Sequence, residues 1–405
     1  MYEQVAAKAG TAPFIDPRDL EAQPHAVLAA LRRAHPVVRL GERQYMALRG
    51  ADVIAMLTDP RTIQIEGADY VALNGIPEGA TARFLRDFFL FDNGEAHKTK
   101  RRLFAGAFAP RALEAVQPRI RAVADAIVAE LPRDETIDFV ACMAARLPGE
   151  MIAAILGLPR FEVPYFTRHV QTIARAVSPV YPQADHTEIE SAAIRLFAYV
   201  ENHLLMRLGM PHGDLLSTLV ADWQTHPTIS FTSLVHQVLG LIVGGIDTTR
   251  VGFAALVALL AEHPAAWAAV KADPRLIPGA VAEALRYEPS VGSIARVTTA
   301  PVAIGDVTLP AGVVLRVSLL SALRDPDLYA DPDRFDIRRS DHPRLHPVFG
   351  TGPHRCIGEM LARLEMQEGL AALISAVDAI EMDEPPLLSG FGGIRRITPM
   401  PLRVR

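Results

Sequence analysis

The chain has 405 residues, half of them hydrophobic, with 41 Lys and Arg against 46 Asp and Glu and a net charge of -5. This balance argues against a nucleic-acid-binding protein, which is normally basic. Two cysteines are too few for a disulfide scaffold or a multi-cysteine zinc site. The length is ample for a large buried core.

The first twenty residues, MYEQVAAKAGTAPFIDPRDL, lack the apolar centre of a signal peptide, so we expect a cytoplasmic protein. The longest apolar runs, VLGLIVGGI and VGFAALVALLA, are interrupted by charged residues. Each falls short of the roughly 18 residues that a membrane span needs. We therefore expect no membrane anchor.

Helical periodicity dominates the chain. The clearest helix patterns, in chain order, are HAVLAALRRAHP, RALEAVQPRIRAVADAIVAEL, EIESAAIRLFAYVENHLLMRL and ARLEMQEGLAALISAV. The patterns typical of short strands are VVRL, QYMALR, PVAIG, VTLP and VVLRVS. No repeat, low-complexity tract or Gly/Ser linker marks a domain boundary. The sequence predicts one mainly helical domain, residues 1–405, with small sheets near both ends.

The longest predicted helix spans about residues 233–263 and is apolar nearly all round, which indicates a helix through the core. Gly244 and Gly245 weaken its centre by about 1 kcal/mol each relative to alanine, and Asp247 and Thr248 follow them. One interpretation is a packing contact at the glycines, with threonine hydroxyls bonded to the preceding turn. The other is a groove that admits a ligand and presents an acid and an alcohol to it.

The stretch FGTGPHRCIG, residues 349–358, places Cys356 among three glycines just before a predicted helix. A helix N-terminus favours an anion, so a thiolate is stabilised there. Such a cysteine can be an inert buried residue, a nucleophile, a redox thiol or an axial haem ligand. His354 is the obvious base for a nucleophile, but residues two apart point in different directions. The haem interpretation also uses the neighbouring basic residues, which suit two propionates.

Five motifs together resemble the cytochrome P450 family. FGTGPHRCIG, followed by a helix containing LARLE, is similar to its haem-binding signature, and GGIDTT is similar to its oxygen-activating motif. EALR matches its Glu-x-x-Arg pair, DPDRF its segment with a further arginine, and HKTKR its propionate-binding helix. The motifs follow the family's order over nearly the whole chain. The resemblance implies a mainly α fold with small β-sheets, in which a long central helix lies over a haem held by the cysteine loop.

The resemblance also implies roles for individual residues. Cys356 is expected to ligate the iron of heme b (iron protoporphyrin IX), and Asp247 and Thr248 to deliver protons to bound oxygen. The residues expected at the haem propionates are His97, Arg101, Arg296 and His354. Those expected to hold the core around the haem loop are Glu283, Arg286 and Arg334. Those expected to face the substrate are Val243, Gly244, Ser293, Ile294, parts of the loop 74–93 and the turn around Gly392.

The implied activity is a monooxygenase that uses O2 and two electrons to oxidise a small-to-medium apolar organic substrate. The chain carries no fused flavin domain or ferredoxin cysteine cluster, so the electrons are expected from a ferredoxin and an NAD(P)H-dependent ferredoxin reductase. We expect the basic residues Lys98, Lys100, Arg101, Arg102 and Arg355 to dock an acidic ferredoxin. The alternative for this run is a solvated helix face.

Three rival functions remain open at this point. A peroxide-driven oxygenase of the same fold is disfavoured by Asp247 and Thr248, because such enzymes typically lack that pair. A haem-based sensor without turnover differs from an oxygenase in not consuming NADPH with competent partners. A haem-free helical binding scaffold is disfavoured because it does not account for the combined motifs.

Overall fold

The computed structural model of the chain describes residues 11–21, 24–177, 180–225, 228–342 and 347–405. Helices predominate, as the sequence predicts. The α-helices of these ranges are α1 (Pro24–Ala34), α2 (Gly50–Thr58), α3 (Gly67–Leu73), α4 (Ala80–Asp87), α5 (Gly94–Arg102), α6 (Pro110–Ala129), α7 (Arg146–Leu156), α8 (Val163–Ala174), α9 (His186–Gly209), α10 (Leu215–Thr225), α11 (Phe231–Glu262), α12 (Pro264–Ala272), α13 (Ile277–Tyr287), α14 (Leu319–Ala322) and α15 (Glu359–Ala376).

The strands form small sheets, and the largest has five strands in the order β1-β2-β8-β5-β3. Within it β2 and β8 are parallel, whereas the other neighbours are antiparallel. The strands are β1 (Val37–Gly41), β2 (Gln44–Ala47), β3 (Thr62–Gln64), β4 (Thr136–Asp138), β5 (Ser293–Thr298), β6 (Val302–Ile304), β7 (Val307–Leu309), β8 (Val314–Ser318), β9 (Ile380–Glu381), β10 (Leu388–Ser389), β11 (Arg396–Ile397) and β12 (Pro401–Val404).

The four strongest helix patterns correspond to α1, α6, α9 and α15, and the five strand patterns to β1, β2, β6, β7 and β8. The strand patterns do not include β5, whose residues Ser293 to Arg296 line the cavity described below. Its sequence, SIARVT, carries a buried arginine and serine where a core strand would be apolar. That mixture concealed the alternating pattern on which strand prediction depends.

The long central helix α11 has 32 residues and is capped at its N-terminus by Ser230, whose hydroxyl accepts a hydrogen bond from Ser233 N at 3.0 Å. It packs against α7, α8, α9, α13 and α15. By length and composition it could cross a membrane, but 83% of its most apolar window is buried inside the fold. This burial is that of a core helix and explains why α11 is apolar nearly all round.

A buried ion-pair network ties α13 to the segment after α14. Arg286 donates from Nε to Glu283 Oε2 at 2.7 Å, and both side chains are fully buried. Arg286 Nη1 also donates to the carbonyl oxygens of Leu323 and Pro332, at 2.9 and 2.7 Å. The charges are therefore compensated by each other and by backbone acceptors, as a buried ion pair requires.

The second arginine of this network is Arg339 rather than the predicted Arg334. Arg339 Nε lies 3.2 Å from Glu283 Oε2, and its side chain is 5% exposed. The Arg334 side chain is 69% exposed and lies 3.4 Å from Asp336. The reason is a turn in which Arg334 N donates to Asp331 O at 3.0 Å and Asp331 has a φ of +44°. This turn directs the Arg334 side chain to solvent and only its carbonyl oxygen towards Arg286.

Candidate active site

A buried cavity of about 330 Å³ lies between α11, β5 and the loop that precedes α15. Cys356 borders it, and although this residue lies deep inside the molecule, its side chain is open to the cavity. Among the described residues no group of three or more His, Cys, Asp or Glu could hold a metal ion. A metal bound here would therefore depend on the single thiol of Cys356.

The cysteine loop has the turns that the glycines of its motif predict. Gly350 and Gly352 have φ values of +68° and +65°, which other residues adopt only with strain. The loop is closed by a hydrogen bond from Cys356 N to Phe349 O at 2.8 Å. Gly358 and Glu359 then begin α15 directly after the cysteine. The loop thus presents the Cys356 side chain to the cavity from the N-terminal end of a helix.

The protonation state of Cys356 is set mainly by burial, which raises the pKa of its thiol. The N–H of Gly358 and the cations of Arg101 and Arg355 oppose that shift. A coordinated metal ion deprotonates a thiol outright, so the site suits a thiol whose charge is taken up by iron.

The predicted propionate residues lie on one side of the cysteine loop. Arg101 Nη2 donates to Arg355 O at 2.6 Å, and Arg296 Nη1 donates to Gln64 Oε1 at 2.5 Å. The rings of His97 and His354 stand 4.1 Å apart, and neither His97 Nε2 nor His354 Nδ1 has a hydrogen-bond partner in the described chain.

The electrostatics of this side fit an anionic ligand. Burial, with contributions from His97, Arg296 and Arg101, lowers the pKa of His354 to about 3, so its ring is neutral. Burial also lowers the pKa of Arg296, to about 10, which leaves the guanidinium charged at neutral pH. Unused imidazole nitrogens beside buried guanidinium groups can bind carboxylates. The residues present therefore fit a haem whose propionates lie on this side.

The two interpretations of the glycines in α11 apply to different residues. A Cβ at Gly245 would lie 2.6 Å from Ile152, so Gly245 allows close packing. A Cβ at Gly244 would meet nothing within 4 Å, because Gly244 faces the cavity. Thr248 also lines the cavity, and its hydroxyl donates to Gly244 O at 2.9 Å. The groove therefore exists, and a threonine hydroxyl stands at its edge.

Asp247 lies behind this groove rather than on the cavity wall. It is 3% exposed, and it accepts hydrogen bonds from Arg250 Nε at 2.8 Å and Nη2 at 2.6 Å. Burial raises the pKa of its carboxyl, whereas Arg250 opposes the shift. The sequence analysis missed Arg250, although its spacing of three residues from Asp247 on a helix is that of an ion pair.

The four predicted pocket residues, Val243, Gly244, Ser293 and Ile294, all line the cavity. The predicted loop 74–93 contains α4, and this segment contributes an aromatic wall formed by Phe84, Phe88, Phe89 and Phe91, with Leu90 beside them. At the predicted turn around Gly392, the residues that line the cavity are Gly393 and Ile394. The wall is mostly apolar, as expected for an apolar substrate.

The predicted basic docking surface is smaller in the structure. Lys100 is 12% exposed on its side chain and pairs with Asp87 and Asp92, each at 2.8 Å. Arg101 is turned inward to Arg355 O, and Arg355 itself pairs with Glu359. The prediction that these three belong to a free positive surface is therefore wrong. Lys98 and Arg102 remain exposed, although Lys98 bonds Glu95 at 2.7 Å.

Glu365 is a cavity residue that the sequence analysis did not single out. It is 1% exposed, and neither carboxyl oxygen has a hydrogen-bond partner in the described part of the chain. Burial raises the pKa of this carboxyl well above its ordinary value of 4.5, because a buried site disfavours the charged form. An acidic residue within the helical pattern LARLEM was the available signal.

We expect Glu365→Gln to remove a pH dependence of stability. In the wild type the folded state keeps a proton that the unfolded state releases above about pH 4.5. Unfolding therefore becomes easier as pH rises, by up to about 1.4 kcal/mol per pH unit. The variant lacks this effect, so its stability relative to the wild type should increase as the pH rises above about 4.5 in urea titrations. Glu368→Gln, one turn later, is the control; equal slopes for all three proteins would contradict the prediction.

Comparisons with known proteins extend over nearly the whole chain. The family model "Cytochrome P450" matches residues 199–389. The plant-inducible cytochrome P450-pinF1 of Rhizobium radiobacter is 34% identical over 386 residues, which are 95% of this chain and 91% of that protein. Nocardicin C N-oxygenase of Nocardia uniformis subsp. tsuyamanensis is 32% identical over 384 residues, 92% of each chain. The solved structure of CxnD, a cytochrome P450 for C–S bond formation in chuangxinmycin biosynthesis, matches with a TM-score of 0.86 at 28% identity, over 98% of both chains.

Proposed function

Because the chain belongs to the cytochrome P450 family and has the fold of its monooxygenases, we propose that it is a soluble cytoplasmic enzyme that uses heme b. It hydroxylates or otherwise oxidises a small-to-medium organic substrate with a largely apolar body. O2 supplies the inserted oxygen atom, and a ferredoxin with its NAD(P)H-dependent reductase supplies two electrons. Residues 1–405 form a single domain, in keeping with the 98% coverage of CxnD.

The observation that carries this proposal is the Cys356 side chain, which opens into the same cavity as the groove at Gly244. A haem there would be held by Cys356 at the iron and by His97, Arg101, Arg296 and His354 at the propionates. When bound, it supplies an iron centre that binds and activates dioxygen. The apolar walls exclude water from the substrate side.

The polar residues of α11 control the delivery of protons to the cavity. The Thr248 hydroxyl is open to the cavity and can exchange its bond to Gly244 O for one to a ligand. Asp247 is held by Arg250 behind it. Release of Asp247 from Arg250 makes the carboxylate available to pass protons inward. We therefore assign Thr248 as the hydrogen-bonding group of the site and Asp247 as its proton source.

The test of this function is turnover under ¹⁸O2. The purified holoenzyme, ferredoxin, reductase and NAD(P)H are incubated with each candidate substrate. One ¹⁸O atom per oxidised product, with NAD(P)H consumed in step, is the expected result for insertion chemistry. A haem-thiolate protein that consumes no NAD(P)H above background with any spectrally bound ligand would instead be a sensor. Product formed only with added peroxide would indicate the peroxide-driven rival.

We expect Thr248→Val to uncouple electron consumption from product formation. The variant keeps the shape of the side chain but has no hydroxyl, so a hydrogen bond worth about 1.5 kcal/mol is lost. The product formed per NAD(P)H should fall about tenfold while NAD(P)H oxidation continues and hydrogen peroxide accumulates. Thr248→Ser, which keeps the hydroxyl, should stay near the wild type. Full coupling in the valine variant would remove Thr248 from the proposed role.

We expect the double reversal Lys98→Glu and Arg102→Glu to slow reduction by ferredoxin. These are the two members of the predicted surface that the structure leaves exposed. Complementary charge steers electron-transfer encounters, so the reduction rate should fall about tenfold at low salt and depend less on ionic strength. Stopped-flow reduction measures both. The matched reversal of the exposed Arg111 on α6 should have little effect; unchanged kinetics in the double variant would contradict docking at this surface.

The relatives do not define the substrate. One is named for N-oxygenation and another for C–S bond formation, so the reaction varies among proteins of similar fold. The same cysteine loop can support hydroxylation, epoxidation or coupling. What selects among substrates is the rest of the cavity wall.

A further inference from the structure

The cavity wall contains a buried cation that the haem site does not use, Arg316 on β8. Arg316 is 4% exposed and lines the cavity. On β5, Ala295 is its antiparallel partner, whereas Arg296 pairs with Leu315. Successive side chains on a strand point to opposite faces of the sheet. Arg316 therefore shares a face with Ala295 and Ser293, and Arg296 shares the other face with Ile294.

These two faces look towards different parts of the cavity. Ile294 Cδ1 lies 3.6 Å from the position of a Cβ on Gly350, so the Ile294 face is turned to the cysteine loop. Arg296 lies on that face and contributes to the low pKa of His354. Arg316 is on the opposite face and interacts with Tyr70 of α3. It therefore belongs to the substrate side of the cavity rather than to the propionate side.

The surroundings of Arg316 place it at a definite end of the cavity. The Tyr70 hydroxyl donates to Ala176 O at 2.8 Å, which joins α3 to the segment after α8. Tyr70 and Val177 both line the cavity. Arg316 thus lies where β8 meets these two segments, and the aromatic wall extends from there to α11.

Ser293 provides a second, independent polar group on the Arg316 face. It is 3% exposed, it lines the cavity, and its hydroxyl has no hydrogen-bond partner within the described ranges. A buried hydroxyl without a partner is destabilising unless a ligand or water satisfies it. Arg316 itself remains charged, because burial lowers the pKa of its guanidinium only to about 10.

We propose that Arg316 and Ser293 form a carboxylate-binding subsite, so that the substrate is an organic acid with an apolar body. Its carboxylate binds the guanidinium fork, which matches two carboxylate oxygens in one plane, and the Ser293 hydroxyl donates to the same group. Its carbon skeleton follows the aromatic wall towards Thr248 and Cys356. A single guanidinium neutralises one negative charge, which favours a carboxylate over a phosphate. The inference rests on the proposed function and narrows its substrate class.

The test compares acids with their uncharged esters. Ferric holoenzyme is titrated with straight-chain acids of 8 to 16 carbons and with aryl-substituted alkanoic acids, each beside its methyl ester. The shift of the Soret band, or equilibrium dialysis where no shift occurs, gives the dissociation constants. The variants are Arg316→Met, Arg316→Lys and Ser293→Ala, and the control is Arg111→Met at an exposed position of α6.

We expect at least one acid to bind wild type about tenfold or more tightly than its ester. Arg316→Met should abolish that preference by weakening the acid alone, Arg316→Lys should keep part of it, and Ser293→Ala should weaken the acid a few-fold. Arg111→Met should behave as wild type. Acids that do not bind, or bind no tighter than their esters, would overturn the subsite. The subsite would also be overturned if Arg316→Met lost its haem and Ser293→Ala kept the wild-type preference for the acid.

The two proposals fail in distinguishable ways. A wild-type protein without a haem-thiolate spectrum would refute the proposed function itself. A normal spectrum and ¹⁸O incorporation, without a preference for any acid, would refute only the role of Arg316 and Ser293.

Discussion

Replacement of Cys356 by serine should abolish product formation and the haem-thiolate spectrum. The fold should persist, and the residues on the propionate side should still bind most of the haem. This is the result we expect because the described chain offers no cluster of ligands that could take over the metal. The serine hydroxyl is a much weaker ligand than a thiolate, and it does not supply the electron density that makes thiolate-ligated iron an oxidant. The measurements are haem content, the CO difference spectrum of the reduced protein and turnover with NAD(P)H.

The matched control for this variant is Cys142→Ser. Cys142 is half-buried and free, but unlike Cys356 it does not line the cavity. Its replacement should leave the spectrum and turnover unchanged. Loss of the thiolate spectrum in Cys142→Ser, or wild-type turnover in Cys356→Ser, would show that the iron ligand has been misassigned.

The family and the fold class were predictable from sequence because the relevant signals are local. A thiol framed by glycines, a glycine pair inside a core helix and a Glu-x-x-Arg pair each occupy ten residues or fewer. Each records a steric or electrostatic requirement that the neighbouring residues express directly, as the φ values of Gly350 and Gly352 illustrate. The comparisons confirm the family that these motifs predicted.

The features that could not be predicted from the sequence are contacts between segments that are distant along the chain. The direction of Arg316 follows from its register with Ala295, 21 positions earlier in the chain. That Glu365 has no hydrogen-bond partner among the described residues follows from the several elements packed around it. The inward turn of Lys100 follows from Asp87 and Asp92, two acids outside its own helix. In each case the residue is of a charged type that normally lies on the protein surface. Only its three-dimensional surroundings reveal that it is buried.

The Glu283 network is where such a distant contact overturned a motif assignment, and its test should give the largest effect on stability. Arg286→Leu leaves the fully buried Glu283 with one arginine instead of two, and frees the backbone acceptors Leu323 O and Pro332 O. We expect a loss of about 3 to 5 kcal/mol in the free energy of unfolding. Urea unfolding of the holoprotein, followed by the Soret band and by circular dichroism, measures this loss.

Arg339→Leu and Arg334→Leu form the matched pair that separates the structure from the motif. Arg339 reaches Glu283 and also donates to Ala330 O at 2.7 Å, so its loss should destabilise the protein by about 2 to 3 kcal/mol and weaken haem retention. Arg334 contributes only an exposed ion pair with Asp336, and its substitution should change stability by less than about 0.5 kcal/mol. Comparable losses in the free energy of unfolding for the two variants would show that Arg334 belongs to the Glu283 network after all. A large difference in favour of Arg339 would mean that the arginine four residues after Phe335, rather than the one immediately before it, supports the haem loop.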